Sequence, residues 1–353
     1  MNIETLLKTV MHNKASDLHL VGRSEPQIRI DGSLRPLEGK VLDGSDIENL
    51  CYTILTDAQK SELEENKDLD FALELPGIGR FRGNCYYTMN GSLAAAFRMI
   101  PLNIPSLDDL NAPAIFKELV KKEKGLVLVT GGTGAGKSTT LAALLNEINI
   151  TERKHIITIE DPIEFVHQNK NSLFSHRNVG TDTKSFAMAL KYALREDPDI
   201  ILVGDLRDPE TISIAIAAAE TGHLVFGTLH TNSAVQTINR IVDSFNETEQ
   251  AQVRNMLSVS LNAIISQTLV PKADNGRFAV HEVLINNHAI SNLIRENKSH
   301  QIYSQIQLNQ QNTGMQTQTQ AMEKAVQMGI ITKENAIRYS TNQQELAGKL
   351  GAI

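Results

Sequence analysis

The sequence predicts an α/β protein: a parallel sheet with crossover helices, preceded by a smaller α+β unit and followed by a mostly helical segment. Three observations carry this reading. Residues 125–130, 155–160, 199–203 and 223–228 are short apolar runs rich in β-branched residues, separated by stretches of helical spacing. The first hundred residues alternate and turn as an antiparallel meander does. Between the two patterns, Met99-Ile100-Pro101-Leu102-Asn103-Ile104-Pro105 carries two prolines and few helix formers. The expected division is therefore 1–100, a linker over 101–111, and 112–353. A length of 353 residues suits it, at about 150 residues per domain.

Taken in order, Ile3, Leu6, Leu7 and Val10 recur at helical spacing and open the chain with an amphipathic helix. Residues 18–20 and 27–30 read as short strands joined through Pro26, with Asp31-Gly32 as a hairpin turn. Helices follow from about Ser45 and about Asp57, both good N-cap residues. Residues 71–75, 79–87 and 92–99 alternate as strands, turned at Pro76-Gly77 and Asn90-Gly91. From about Asn111 helix and strand alternate, and beyond about Asn286 the chain reads as mostly helical. Residues 297–320 are rich in Gln and Asn, a composition compatible with disorder, yet Ile302, Ile306 and Leu308 punctuate them and favour helix and loop. No internal repeat is visible.

Composition excludes several classes. Hydrophobic residues make up 41% and charged residues 21%, as in ordinary globular chains. With 34 basic against 41 acidic residues the net charge is −7, so no sequence-wide basic footprint exists and nucleic acid is not an expected partner. The two cysteines, Cys51 and Cys85, exclude a disulfide framework and a four-cysteine zinc site. No apolar run approaches the roughly 18 residues of a membrane span, and the N-terminus lacks a signal pattern. A soluble, cytoplasmic protein is expected.

Gly131-Gly132-Thr133-Gly134-Ala135-Gly136-Lys137-Ser138 satisfies G-x-x-x-x-G-K-[ST] at every position. It follows an expected strand and opens an expected helix at Thr139, the context a phosphate-binding loop requires. Glycines let backbone N–H groups curl around phosphate oxygens, and the helix N-terminus adds donors and dipole. Lys137 would reach the β- and γ-phosphates of ATP and Ser138 would ligate Mg²⁺. Asp205 ends the apolar run 199–203 plus Gly204, where an acid serves the Mg²⁺ shell, directly or through water, or the attacking water.

Further residues resemble a known family. Ile159-Glu160-Asp161-Pro162-Ile163-Glu164-Phe165 is similar to the acidic box of bacterial secretion ATPases, and the run from Gly222 to Thr231 to their histidine box. Leu194-Arg195-Glu196-Asp197-Pro198-Asp199 resembles their lead-in to the second nucleotide strand. Ala15-Ser16-Asp17-Leu18-His19-Leu20 and Ile28-Arg29-Ile30-Asp31-Gly32 resemble their first domain. Within that family, Ala289-Ile290-Ser291-Asn292-Leu293-Ile294-Arg295-Glu296 is close to the C-terminal signature of the type IV pilus retraction (twitching motility, PilT-type) ATPases, with Ser291 where Arg is usual. Assembly and secretion relatives generally carry a longer N-terminal region and a four-cysteine insertion; neither is expected here, with only Cys51 and Cys85 present, so retraction is the expected reading.

The resemblance implies a homo-hexameric motor ATPase. Each subunit would carry a PAS-like first domain and a RecA-like core, with ATP between them. The ring would act at the inner face of the cytoplasmic membrane, on the pilus machinery and its membrane platform. Arg82 and Arg98 fall where the family offers arginines to the γ-phosphate; Glu164 is placed to orient the attacking water, beside Glu160. His223, His230, Leu293 and Ile294 fall where nucleotide state is coupled to neighbouring elements. Each also has a plain structural reading, as a solvated strand face, a core histidine, surface acids or a packing helix. Asp205 departs from the family, which usually has Glu there. Two other readings stand beside the motor: an accessory subunit of low turnover, and an assembly or secretion ATPase.

Overall fold

Two separate sheets organise the residues that the computed structural model describes, namely 2–30, 32–100, 103–308 and 313–351. They belong to two units, Met1–Asn103 and Ile104–Ile353.

The first unit is an antiparallel sheet of β1 (Asp17–Leu20), β2 (Gln27–Ile30), β3 (Ser33–Pro36), β4 (Asp68–Leu75), β5 (Gly79–Thr88) and β6 (Ser92–Ile100), ordered β3-β2-β1-β6-β5-β4. Alternation decides its faces. Phe81 and Cys85 of β5, with Leu93, Ala95 and Phe97 of β6, turn into a core shared with Ile3, Leu6, Leu7 and Val10 of the helix Ile3–His12. The helices Gly44–Tyr52 and Asp57–Asn66 complete it. Their N-caps are Asp43 and Thr56, each in a reciprocal capping box, rather than Ser45 and Asp57. Strand β3 was not expected, since all four of its residues are exposed and only its pairing with β2 defines it. Of the expected turn between them, Asp31 lies outside the described residues.

The expected linker is only partly such. Pro101 and Leu102 lie outside the described residues. From Ile104 the chain belongs to the second unit, where Leu107 is buried in one core with Phe116 and Leu119. The Ser106 and Asp109 side chains each accept the other's backbone N–H, fixing the turn.

The second sheet contains β7 (Gly125–Thr130), β8 (His155–Glu160), β9 (Leu173–Asn178), β10 (Ile200–Val203), β11 (Leu224–Leu229), β12 (Leu261–Pro271) and β13 (Arg277–Ile285). Its order is β13-β12-β7-β11-β10-β8-β9, parallel throughout except for β13. Leu126 and Leu128 of β7 enter one core, Val127 and Val129 the other, so both faces are covered and the strand reads as an unbroken apolar run. Strands β9, β12 and β13 had not been expected. Strand β9 is a polar edge, and β12 follows the helix Glu247–Ser260 with no turn residue between them.

The C-terminal segment is helical as expected, with helices His288–Arg295, Ile302–Leu308, Gln318–Gln327, Lys333–Tyr339 and Gln343–Lys349. In the Gln/Asn-rich stretch Ile302 and Ile306 are fully buried, whereas Leu308 is 78% exposed. Residues 309–312 lie outside the described set. Among the described residues no helix is long and apolar enough to cross a membrane.

Candidate functional site

Strand β7 delivers the chain to Gly131, and the helix Lys137–Thr151 begins six residues later behind Gly136. The loop between them is held by Gln267 of β12. Its Nε2 donates to Ala135 O at 2.6 Å, and its Oε1 accepts from Thr140 Oγ1 at 2.7 Å. A Cβ at Gly131 would stand 2.4 Å from Gln267 O, and one at Gly136 2.8 Å from Gln267 Nε2; both glycines also have positive φ. Close packing therefore demands glycine at both positions. Lys137 Nζ donates to Gly131 O at 2.9 Å and Gly132 O at 3.1 Å, folded back over its own loop. Burial pushes its pKa down, opposed by the charge of Asp205.

Parallel pairing brings the carboxyl ends of β7, β8, β10 and β11 to one edge, where open α/β sheets bind ligands. A cleft of about 270 Å³ opens there, lined among others by Lys137, Ser138, Glu160, Glu164, Asp205 and His230. Glu160 ends β8 and is 9% exposed, and its Oε2 accepts the backbone N–H of exposed Glu164 at 3.3 Å. Thr228 Oγ1 donates to Gly204 O at 2.5 Å, fixing the turn that presents Asp205. Asp205 Oδ2 is held by Arg207 Nε, with His230 Nε2 at 3.6 Å. Its Oδ1 is buried without a hydrogen-bond partner among the described residues. An orphaned carboxylate oxygen in a cleft that also holds the Ser138 hydroxyl is a hard-oxygen donor set, and it fits Mg²⁺.

Not every expected residue joins this cleft. Thr139 follows Ser138 in the first helical turn but does not line it. His223 precedes β11 at the far end of that strand from His230, its Nδ1 bonded to Ala218 O at 3.1 Å. Arg82 and Arg98 belong to the first unit, directly opposite each other across β5 and β6 on the face away from its core. Two like charges so placed repel, and acids offset them: Arg98 Nε donates to Asp17 Oδ1 at 2.8 Å, and Arg82 meets Asp70 at 3.5 Å. Burial works to raise the Asp17 carboxyl, but hydrogen bonds from Ser16 and Arg98 leave it lowered. Ile294 is 1% exposed, packed with Ile290 in the sheet's core, while Leu293 is only partly buried.

Sequence reading missed Gln267, a polar residue of β12 between Ser266 and Thr268. It also missed one wall of the cleft, where buried His167 stacks on Phe174 at 4.4 Å, with His176 beside them. Burial, with His176 and Lys170 nearby, pushes His167 down to about 3. Alternating His and Phe around a new strand was the available signal.

Comparison with known proteins agrees with this fold. A family model described as type II/IV secretion system protein matches residues 1–338. The twitching motility protein of Neisseria gonorrhoeae is 48% identical over 347 residues, spanning 98% of this chain and 92% of that protein. The type IV pilus retraction ATPase PilT of Pseudomonas aeruginosa is 50% identical over 336 residues, 95% and 97% of the two chains. A crystal structure of the pilus retraction motor PilT with bound ADP superposes with a TM-score of 0.92 at 47% identity, covering 99% of each chain.

Proposed function

The chain belongs to the type II/IV secretion system protein family, and from that premise we propose that it is a motor ATPase hydrolysing ATP to retract type IV pili. The observation that carries the chemistry is the meeting of Lys137 and Ser138 with Glu160, Glu164 and Asp205 in one cleft. Phosphoryl transfer needs positioning and charge stabilisation more than covalent help, and this set supplies both.

The N–H groups of the loop and the Lys137 ammonium bind the phosphates. Glu164 orients the attacking water, and Glu160 holds the Glu164 backbone in place. Mg²⁺, when bound with nucleotide, would be held by Ser138 and Asp205, directly or through water, and would neutralise developing phosphate charge. A second recess, which shares Thr133 and Gly134 with the cleft and is lined also by Asn232, Leu269 and Tyr339, would receive the nucleoside. Arg82 and Arg98 are the candidate cations for the γ-phosphate, and their removal would slow hydrolysis. The working species is a homo-hexameric ring at the inner face of the cytoplasmic membrane, bound to the pilus machinery through its membrane platform.

The test is a deletion strain: pili retained with twitching lost supports retraction, and cells without pili would point to assembly. Purified protein that sediments as a monomer with Mg-ATP and still turns over at full rate would refute the ring. Asp205, shorter than the usual Glu, favours a second reading as an accessory subunit of low turnover, which steady-state ATPase distinguishes.

A further inference from the structure

Glu282 of β13 is 3% exposed and does not line the phosphate cleft. Its Oε1 accepts the backbone N–H of Ala234 at 2.8 Å, and the backbone N–H of Gln318 also favours the charged form of the carboxylate. These are the first residues of two different helices, Ala234–Asp243 and Gln318–Gln327. Each helix has its own cap elsewhere: Ser233 Oγ takes Gln236 N–H and Thr317 Oγ1 takes Gln320 N–H, both at 3.2 Å. The first N–H of each helix, which its own cap does not take, acts on one acid instead. No Lys or Arg pairs with Glu282 among the described residues, and burial raises its pKa while those two N–H groups oppose the rise. Two helix N-termini, each carrying partial positive charge, are what it has in place of a cation.

The first of these helices is also tied to the phosphate loop. Thr237 Oγ1 lies 2.7 Å from Thr231 Oγ1 and 3.5 Å from Thr130 Oγ1. Thr130 in turn pairs with Ser266 Oγ at 2.9 Å. Thr130 immediately precedes Gly131, and Thr231 immediately follows His230. Ser266 precedes Gln267, which staples the loop. A short buried chain of hydroxyls thus runs from beneath the phosphate loop into the helix Ala234–Asp243.

We propose that Glu282 is a positioning residue that couples the phosphate loop and the His230 segment to the C-terminal helices, by holding the first N–H of both helices on one carboxylate. The inference rests on the nucleotide-binding reading above. A shift at Thr130 or Thr231 moves the helix Ala234–Asp243 as a rod, and the shared acid passes that movement to the helix Gln318–Gln327. An amide at 282 keeps the volume but has one acceptor oxygen, and its NH₂ group faces an N–H, so one helix is released.

Hydrogen exchange on the full chain, with and without a non-hydrolysable ATP analogue and Mg²⁺, tests this. In the wild-type chain the analogue slows exchange in the loop and in the first turn of the helix Gln318–Gln327. In Glu282→Gln the loop response stays and the helix response falls from about tenfold to under twofold. A helix response that persists in Glu282→Gln, or that is absent from the wild type while the loop responds, overturns the coupling alone. No loop response in the wild type overturns the nucleotide reading and the coupling with it. Should Glu282→Gln fail to fold, Thr237→Val cuts the link at its other end with little change of shape; it is expected to lose the same helix response, and retention of that response overturns the proposal.

Discussion

Arg207 holds Asp205 by one oxygen only: its Nε meets Oδ2, and Oδ1 is left buried with no hydrogen-bond partner among the described residues. His230 Nε2 stands 3.6 Å from the occupied oxygen. The carboxylate is thus fixed in direction by its neighbours, and Asp205 lines the same cleft as Ser138.

That fixed direction bears on length. Asp is one methylene shorter than the Glu usual in the family, which moves the carboxylate back by about 1.3 Å. Misplacement near 1 Å costs about a hundredfold in rate. Asp205→Glu is expected to raise kcat by about ten- to a hundredfold with little change in KM, and Asp205→Asn to lower it. Steady-state ATPase on the three proteins decides; a slower Glu variant would show a site built around Asp.

Lys137→Ala is expected to abolish ATPase activity, by at least about a thousandfold, because the phosphates lose their nearest cation. The fold should persist, since Lys137 bonds only to exposed or loop carbonyls. Circular dichroism and turnover on the same preparation check both halves.

Gln267→Leu leaves the Thr140 hydroxyl and Ala135 carbonyl without their partner inside the protein. Each unsatisfied buried group costs about 1–3 kcal/mol. The loop should lose its preset shape, so ATP affinity falls by about tenfold or more and the urea midpoint drops. Unchanged affinity would show that the phosphates alone shape the loop.

Leu293 and Ile294 should separate. Ile294→Ser puts a hydroxyl into the core and is expected to destabilise by about 3–5 kcal/mol. Leu293→Ser, at a partly buried position, should spare ATPase while slowing retraction. A twitching assay beside a melting curve distinguishes surface output from lost packing.

Burial holds His281 down to about 4 against its ordinary 6.5. The unfolded chain therefore binds a proton at this ring below pH 6.5, whereas the folded chain does not until about pH 4. Its stability contribution is complete above pH 6.5 and is lost as pH falls, by about 1.4 kcal/mol per pH unit. His281→Leu, against the Phe116 ring that His281 now meets edge-on, should flatten urea midpoints between pH 6.5 and 4. His167 keeps a separate acid limb of the same sign.

How legible all this was depended on where each residue draws its partners. Strands β7, β8, β10 and β11 were readable because burial on both faces writes an apolar run into the chain, and Lys137 and Ser138 because a phosphate loop is contiguous. Strand β13 does carry a local signal: Asn275-Gly276 before an alternating stretch marks a hairpin. Gln267 could not be read, since its partners Ala135 and Thr140 are more than a hundred residues away and nothing local distinguishes it. Glu282 is similar, one acid in an apolar strand whose two N–H donors come from distant helices. His223 and His230 were legible as the two ends of one apolar run, and β11 between them holds them at its opposite ends.

The two glycines pressed against Gln267 have different evolutionary latitude. At Gly136 the obstacle is the end of a side chain, so a smaller residue at 267 would open space for alanine, leaving only the left-handed backbone to oppose it, at about 1–2 kcal/mol. At Gly131 the obstacle is the Gln267 carbonyl, which every amino acid carries. Drift at 136 is therefore contingent on 267, a pairwise epistasis between a loop and a strand far away in the chain. Position 131 is closed to substitution whatever happens at 267, as long as the loop and β12 keep their spacing.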